Sequence, residues 1–422
     1  MVISEESYSK IYNQLQTAGI IGRCEPYPYG VSSFYRYHCE RKSNDPKIRR
    51  GYGFGSSKIE TEAKFYAMAE AVERYCALNE RKGEYIRGSY KDLKPKAVDP
   101  ILFLGFTEKQ LKSEDFEKFR FDENTVFNWI PVKSLFDNSE HLIPAQLVFA
   151  EYDYEKWKEP IIRFPTSTGA ACGSSIENAI LTGLREVIER DNYLINLWNG
   201  LSPSQIDLSR VDSIKKLLKE IKEKGIEVYC VDLSLDFIEV VAGIFLIDRS
   251  DKGPAVSIGI SCGEDMEDEI GNALREAYSV YLSRKSLFFE NRNSKFPANT
   301  DSEWASFKNV VNWNSLIYLD KISYFLKGPV KSLKEKTIYE ESDVKTLKRK
   351  GYHGFYVDIS EENVRNAGLF VIKVMVPELL ATSSFEDFPY KRNKRLYQVP
   401  LELGLKRTMI KEDEIVGLNP LS

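Results

Sequence analysis

Glu70-Ala71-Val72-Glu73-Arg74-Tyr75 recurs further along the chain as Glu186-Val187-Ile188-Glu189-Arg190-Asp191. Residues i, i+3 and i+4 share one face of an α-helix, so each copy sets two carboxylates and a guanidinium side by side. Glycine- and serine-rich stretches precede both copies at similar intervals: Gly51-Tyr52-Gly53-Phe54-Gly55-Ser56-Ser57, and Ser167-Thr168-Gly169-Ala170-Ala171-Cys172-Gly173-Ser174-Ser175. A lone Glu-x-x-Glu-Arg is usually a solvated helix face. Duplication in matching contexts, with apolar Ala71-Val72 and Val187-Ile188 inside the motifs, favours two core-packed helices with a shared chemical task.

Outward from these motifs, helical periodicity predicts helices over about Glu60–Arg81, Ile176–Trp198, Val211–Lys224 and Glu267–Phe289, with a shorter one near 342–350. Strand-like runs fall at Thr125–Pro131, Ile143–Ala150, Glu227–Leu233, Phe237–Ile247, Ala255–Ser261, Gly354–Ile359 and Leu369–Val376. The two glycine-rich stretches read as turns opening onto helices, whose N-termini and backbone N–H groups favour anions. No long Gly/Ser or Pro-rich linker divides the chain. The expected fold is α/β, a single domain of mixed sheets and helices around a central site, with residues 1–50 as an N-terminal segment packed on a domain of residues 51–422.

The 422 residues are 42% hydrophobic and 29% charged with a net charge of −4, which excludes wholesale disorder and gives no electrostatic footprint for general nucleic-acid binding. The basic run Lys391-Arg392-Asn393-Lys394-Arg395 reads either as an anion contact or as solvated surface. The start, Met1-Val2-Ile3-Ser4-Glu5-Glu6, has no apolar core, and the apolar run Val240–Ile247 is far short of the roughly 20 residues that span a bilayer. A cytoplasmic protein without membrane partners is expected. Six cysteines without a C-x-x-C pair and three dispersed histidines support neither a zinc site nor a disulfide framework. Cys172 invites a nucleophile reading, but a small buried residue is the stronger one; isolated His353 reads as structural.

Carboxylates repel a triphosphate in a partly desolvated site unless cations intervene. Mg²⁺ takes oxygen ligands from a few carboxylates, phosphates and water. Glu70, Glu73, Glu186 and Glu189, with arginines to neutralise phosphate, therefore suit a polymetal nucleotide site. The Walker A pattern and the kinase signatures are absent, so any such site is built differently.

In these motifs the chain resembles the YcaO family. The family's first signature, S-x-x-x-E-x-x-E-R, is matched around Glu70–Arg74 with Tyr66 where the family has Ser. The second, S-N-G-x-A-x-G followed by E-x-x-E-R-D, is matched with Thr168 in place of Asn. Ala273-Leu274-Arg275-Glu276-Ala277-Tyr278-Ser279 is similar to the family's A-L-x-E-A-x-Q, with Ser279 for Gln. Tyr356-Val357-Asp358-Ile359-Ser360, Gly368–Leu379 and Arg395–Gly404 resemble later segments of the azoline-forming branch, whose proline-rich P-x-P-x-P tail has no match in Gly417–Ser422.

The resemblance implies a YcaO-type domain with ATP and Mg²⁺ as cofactors. It implies Glu70, Glu73, Glu186 and Glu189 as metal ligands, Ser174 and Arg190 near the nucleotide, and Arg74, Arg190 and Arg284 as catalytic, phosphate-side residues. The implied reaction is O-phosphorylation of a peptide-backbone amide after nucleophilic attack, giving thiazoline or oxazoline from Cys, Ser or Thr in a ribosomally made precursor, as in bacteriocin biosynthesis. Thioamide or amidine formation stays open, as does a non-catalytic subunit scaffolding a modification complex. The expected partners are the precursor peptide and a separate E1-like, leader-binding protein, and a homodimer is compatible with the same reading.

Overall fold

In the computed structural model, residues 3–27, 33–42, 51–78, 85–250, 253–291, 316–333, 342–382, 387–415 and 419 are described. The basic run Lys47–Arg50 and the end Gly417–Leu418 and Pro420–Ser422 lie outside them. The architecture is α/β, three sheets with helices laid on them. The strands Ile21–Pro26, Tyr35–Arg41 and Gly51–Ser57 form an antiparallel sheet in that order. Residues on either side of position 50 therefore share one sheet, Arg41 opposite Gly51 and Tyr35 opposite Ser57. The second sheet runs in the order Val256–Gly263, Val240–Ile247, Glu227–Asp232, Gln205–Ile206, Val330–Lys331. The third runs Ile86–Ser89, Val126–Ser134, Phe355–Asp358, Phe370–Met375, Ala170–Gly173, with Glu140–Pro144 paired to Val126–Ser134.

Three long helices carry the site. The first signature helix, Glu60–Leu78, buries Ala63, Ala67, Met68, Ala71, Val72 and Tyr75, a small-residue face that lets it lie close on its sheet. The second, Ile176–Trp198, starts where Ser175 accepts the Asn178 N–H and is buried along most of its second half, from Val187 to Trp198. The third, Met266–Asn291, packs on the second sheet through Ile270, Ala273, Leu274, Ala277 and Tyr278.

Two expectations need correction. The glycine-rich stretches are strands, not turns: Gly51–Ser57 pairs with Tyr35–Arg41, and Ala170–Gly173 pairs with Phe370–Lys373. Low β-propensity is overridden because only glycine lets a helix backbone rest on these strands, as shown below. The run Ile143–Ala150 is not one strand either. The ladder ends at Pro144, which has no N–H to continue it, and a 3₁₀ turn follows over Ala145–Leu147.

The second helix is also tied down at its far end. Arg395, on the helix Arg395–Glu402, is 3% exposed at its side chain and pairs with Asp191 (Nη2 to Oδ2, 2.7 Å) and Asp236 (Nη2 to Oδ1, 2.6 Å). Its Nε reaches both Asp191 oxygens at 3.1 Å, and its Nη1 reaches Asp236 at 2.9 Å and the Tyr352 hydroxyl at 3.1 Å. All five guanidinium donors point at partners, the arrangement in which a buried ion pair is worth keeping.

Candidate metal and nucleotide site

Each signature helix is fastened to its own strand by the first glutamate of its motif. The Phe54 N–H donates to Glu70 Oε2 at 2.5 Å, and the Gly169 N–H donates to Glu186 Oε2 at 3.0 Å. The same unit occurs a third time, where the Ile260 N–H donates to Glu276 Oε2 at 2.9 Å on the third helix. Donor and acceptor are 16, 17 and 16 residues apart in the three units. Glycine makes the close approach possible in the first and third. A Cβ added at Gly55 would stand 2.1 Å from the Ala63 carbonyl oxygen, and one at Gly53 2.2 Å from the Ala71 nitrogen. At Gly259 it would stand 2.2 Å from the Ala273 carbonyl oxygen. The second unit uses Gly183 on the helix, whose Cβ would meet the Gly169 carbonyl at 2.6 Å.

The arginines of the motifs fold back on their own acids. Arg74 Nη2 pairs with Glu70 at 2.6 Å while its Nη1 donates to the Tyr52 carbonyl at 2.9 Å. Arg190 lies deeper and pairs with Glu189 at 2.7 Å and Glu186 at 3.5 Å. Burial pulls the Arg190 pKa down, but Glu189, Glu186 and Glu276 together push it above the ordinary guanidinium value.

Negative charge outweighs these arginines. Burial, then Glu186 and Glu70, raise the Glu73 carboxyl well above its ordinary range. Glu189 is likewise raised well above its range by burial, with Glu276, Glu186 and Glu269 opposing the pull of Arg190. Burial raises Glu276 as well; Arg190 and the Ile260 N–H hold it down, Glu70 and Glu186 push it up. Glutamates of all three helices thus act on one another within one small volume. Hard oxygen donors in excess of local positive charge are the donor set that Mg²⁺ satisfies. Among the described residues no three His, Cys, Asp or Glu side chains stand together as a ready ligand group for a single ion. That suits a cation that fills its octahedron with phosphate oxygens and water rather than with protein alone. The residues present fit Mg²⁺ with a polyphosphate.

A buried lysine supports the second unit from behind. Lys373, fully buried, donates from Nζ to the Thr166 and Thr168 carbonyls at 2.7 Å each, fixing the chain just before Gly169. Burial, reinforced by Arg163, pulls its pKa down to about 7 against the opposing effect of Glu186 and Glu73. Arg36, also buried, reaches the third helix at the Ser279 carbonyl (3.0 Å) and lies over the Tyr27 ring at 4.4 Å.

Of the residues expected from sequence, Glu70, Glu73, Glu186, Glu189, Arg74 and Arg190 are brought together. Ser174 is not in the cluster: it precedes the N-cap Ser175, and twelve residues of helix at 1.5 Å each put it roughly 18 Å along the axis from Glu186. Arg284 is buried beside Tyr193, and burial lowers its pKa to about 10. Burial pushes the Cys172 thiol well above its ordinary value, which disarms it as a nucleophile. His353 pairs with Glu378 at 2.7 Å away from the carboxylates. Sequence reasoning missed Glu276 and Lys373, whose charges act on these glutamates. The signal for Glu276 was present, because Leu184-Arg185-Glu186 is repeated as Leu274-Arg275-Glu276. It went unread because Ser279 stands where the other units have Glu73 and Glu189.

Residues 54–380 match the family model described as "YcaO cyclodehydratase, ATP-ad Mg2+-binding". An uncharacterised protein of Methanothermobacter thermautotrophicus is 26% identical over 331 residues, 77% of this chain and 80% of that one. Among solved structures, a heterocyclase in complex with substrate and cofactor superposes with a TM-score of 0.78 at 20% identity, over 97% of this chain and 56% of that one. The Methanopyrus kandleri YcaO bound with AMPPCP and Mg²⁺ gives 0.62 at 15% identity, over 90% and 91%. The chain thus spans little more than half of the heterocyclase, and shares the fold of both.

Proposed function

The chain belongs to the YcaO family, with ATP and Mg²⁺ as its cofactors, and from this premise we propose that it activates backbone amides of a ribosomally made precursor peptide by O-phosphorylation. The product we infer is thiazoline or oxazoline, formed by cyclodehydration of Cys, Ser or Thr. Bound together, ATP and Mg²⁺ supply a phosphoryl group and the positive charge that turns an amide oxygen into a leaving group. The observation that carries this reading is the excess of carboxylate over arginine where the three helices meet.

In this reading Glu70, Glu73, Glu186 and Glu189 hold the metal ions, and Glu276 completes the acidic wall. Arg190, held between Glu186 and Glu189 with its charge sustained by three glutamates, would neutralise phosphate charge. Arg74 closes the more exposed side. Lys373 keeps the Thr166–Gly169 segment in place so that the Gly169 N–H orients Glu186. A separate leader-binding protein of E1-like type delivers the precursor.

The test is ATP turnover and product mass with Mg²⁺, precursor and partner supplied. Loss of one water per modified residue marks azoline formation; replacement of oxygen by sulfur marks a thioamide instead. Glu73→Ala and Glu186→Ala are each expected to lower ATP turnover on the order of a hundredfold or more, the scale of several kcal/mol of metal-borne charge stabilisation. Undiminished turnover in both would sink the assignment.

A further inference from the structure

The basic run Lys391–Arg395 is left unused by the nucleotide site, and the structure divides it. Arg395 turns inward to its aspartates, and Asn393 donates to the Glu378 carbonyl at 2.8 Å. Arg392 and Lys394 carry no ion pair among the described residues and line two adjoining cavities. The outer, of about 680 Å³, also presents Lys109, Lys112 and Lys391 against Glu108 and Glu412. The inner, of about 350 Å³, is walled by apolar residues including Leu104, Leu379 and Ala381.

Arg163 lines that inner cavity. It is 9% exposed, and its guanidinium has no hydrogen bond or ion pair among the described residues; its neighbour is the Phe103 ring at 5.6 Å. Burial draws its pKa below the ordinary guanidinium value, with Tyr390 and Tyr154, not carboxylates, opposing. Glu378, the one carboxylate among the described residues of the inner wall, is engaged by the His353 ring at 2.7 Å and the His353 N–H at 3.1 Å. The Arg163 nitrogens are not wholly withdrawn from solvent, but a guanidinium so largely buried without a counter-charge is still costly, and a bound anion would offset the cost. The same wall touches the catalytic unit: the Leu380 N–H donates to Asp191 at 2.9 Å, and Arg163 acts on Lys373.

We propose that this cleft takes the free C-terminal carboxylate of the peptide substrate, with its last, apolar side chain in the inner cavity and an acidic stretch along the outer one. The proposal rests on the peptide-substrate reading above. Of the two buried guanidiniums on this wall, Arg395 is neutralised by its aspartates and Arg163 is not, so Arg163 beside the apolar residues matches a single anion with an apolar neighbour. A nucleic acid brings a phosphate at every residue and asks for stacking platforms instead. A residue from mid-chain would carry two flanking amides into apolar walls, whereas a terminus carries one.

The probe is a fluorescent synthetic octapeptide, acidic with leucine at its free C-terminus, and the same peptide as its C-terminal amide, read by anisotropy without ATP. The acid is expected to bind about thirtyfold more tightly than the amide, the scale of a buried charge pair. Arg163→Gln is expected to erase that difference. The paired surface change Arg392→Glu with Lys394→Glu is expected to weaken binding at least tenfold while peptide-free ATP hydrolysis stays unchanged, a control should Arg163→Gln fold poorly. Equal binding of acid and amide, or unaltered binding in the paired variant, overturns the proposal. So does displacement of the peptide by equimolar inorganic phosphate or by a single-stranded oligonucleotide. Selective acid binding without any peptide modification under ATP would refute the cyclodehydratase reading and leave the cleft standing; modification indifferent to amidation would do the reverse.

Discussion

Replacing Arg395 by methionine strips a buried cation from two aspartates that cannot follow it into water; Asp236 keeps Lys350 at 2.6 Å, while Asp191 is left with no cation among the described residues. Asp191 is fully buried and Asp236 has 9% of its side chain exposed, and Arg395 pairs with both at 2.6–2.7 Å. Removing one member of such a buried network leaves uncompensated charge and costs about 3–5 kcal/mol. At about 2.1 cal/mol/K per residue, 422 residues unfold with an entropy of roughly 0.9 kcal/mol/K. Arg395→Met is therefore expected to lower the melting temperature by about 3–6 °C. Adding Asp191→Leu and Asp236→Leu is expected to recover most of it, because an apolar trio needs no counter-charge and Lys350, 21% exposed at its side chain, can turn to solvent when it loses Asp236. Asp191 follows Arg190 directly, so the single variant is also expected to slow ATP turnover, and the triple variant to regain part of that rate. Calorimetry and a phosphate-release assay on all three proteins read both effects. A melting temperature unmoved by Arg395→Met, or a triple variant less stable than the single one, would refute the reasoning.

Two further outcomes follow from the same physics. Glu189 is raised above its ordinary 4.5 in the folded state. Between pH 4.5 and that raised value the native form keeps a proton the unfolded form has lost, so its contribution is full below 4.5 and is lost as pH rises. Glu189→Gln should therefore melt progressively higher than the metal-free wild type as pH climbs above 4.5, and Mg²⁺ with ATP should stabilise only the wild type; parallel melting curves across pH would contradict this. Gly259→Ala forces a methyl against the Ala273 carbonyl; a loss of about 1–3 kcal/mol by denaturant titration and a marked fall in ATP turnover are expected. Gly225→Ala, at φ +77° with nothing within 4 Å, is the contrast. It should cost about 1 kcal/mol and leave turnover alone, and equal turnover losses in the two variants would argue against the helix-on-strand contact.

The long helices were legible because each announces itself locally. Ile176–Trp198 has a serine N-cap and an unbroken apolar face, and the expected bounds match the observed ones. The first signature helix begins at the expected Glu60 and is described to Leu78; its expected continuation to Arg81 lies beyond the described residues. The glycine-rich strands were illegible because local composition speaks for turns, while the deciding contact is with a helix backbone six to eighteen residues further on. The glutamates of both acidic motifs lie close enough to act on one another. Lys373, Arg36 and Arg395 were invisible for a different reason. Each acts on a segment far away in the chain, Arg395 on Asp191 across 204 residues, and no periodicity encodes such a meeting.

The three strand–helix units close over 16 or 17 residues each, yet the glutamates they orient come from positions as distant as 70 and 276. The first and third units are local enough to form early, each with its carboxylate tethered to a backbone N–H, whereas the second waits for Phe370–Lys373, the strand that pairs with Ala170–Gly173. The crowd of negative charge then exists only after the units dock. Folding is therefore expected to divide into quick local closures and a late step that brings like charges together, and the rate of that step is the one magnesium and ionic strength should govern.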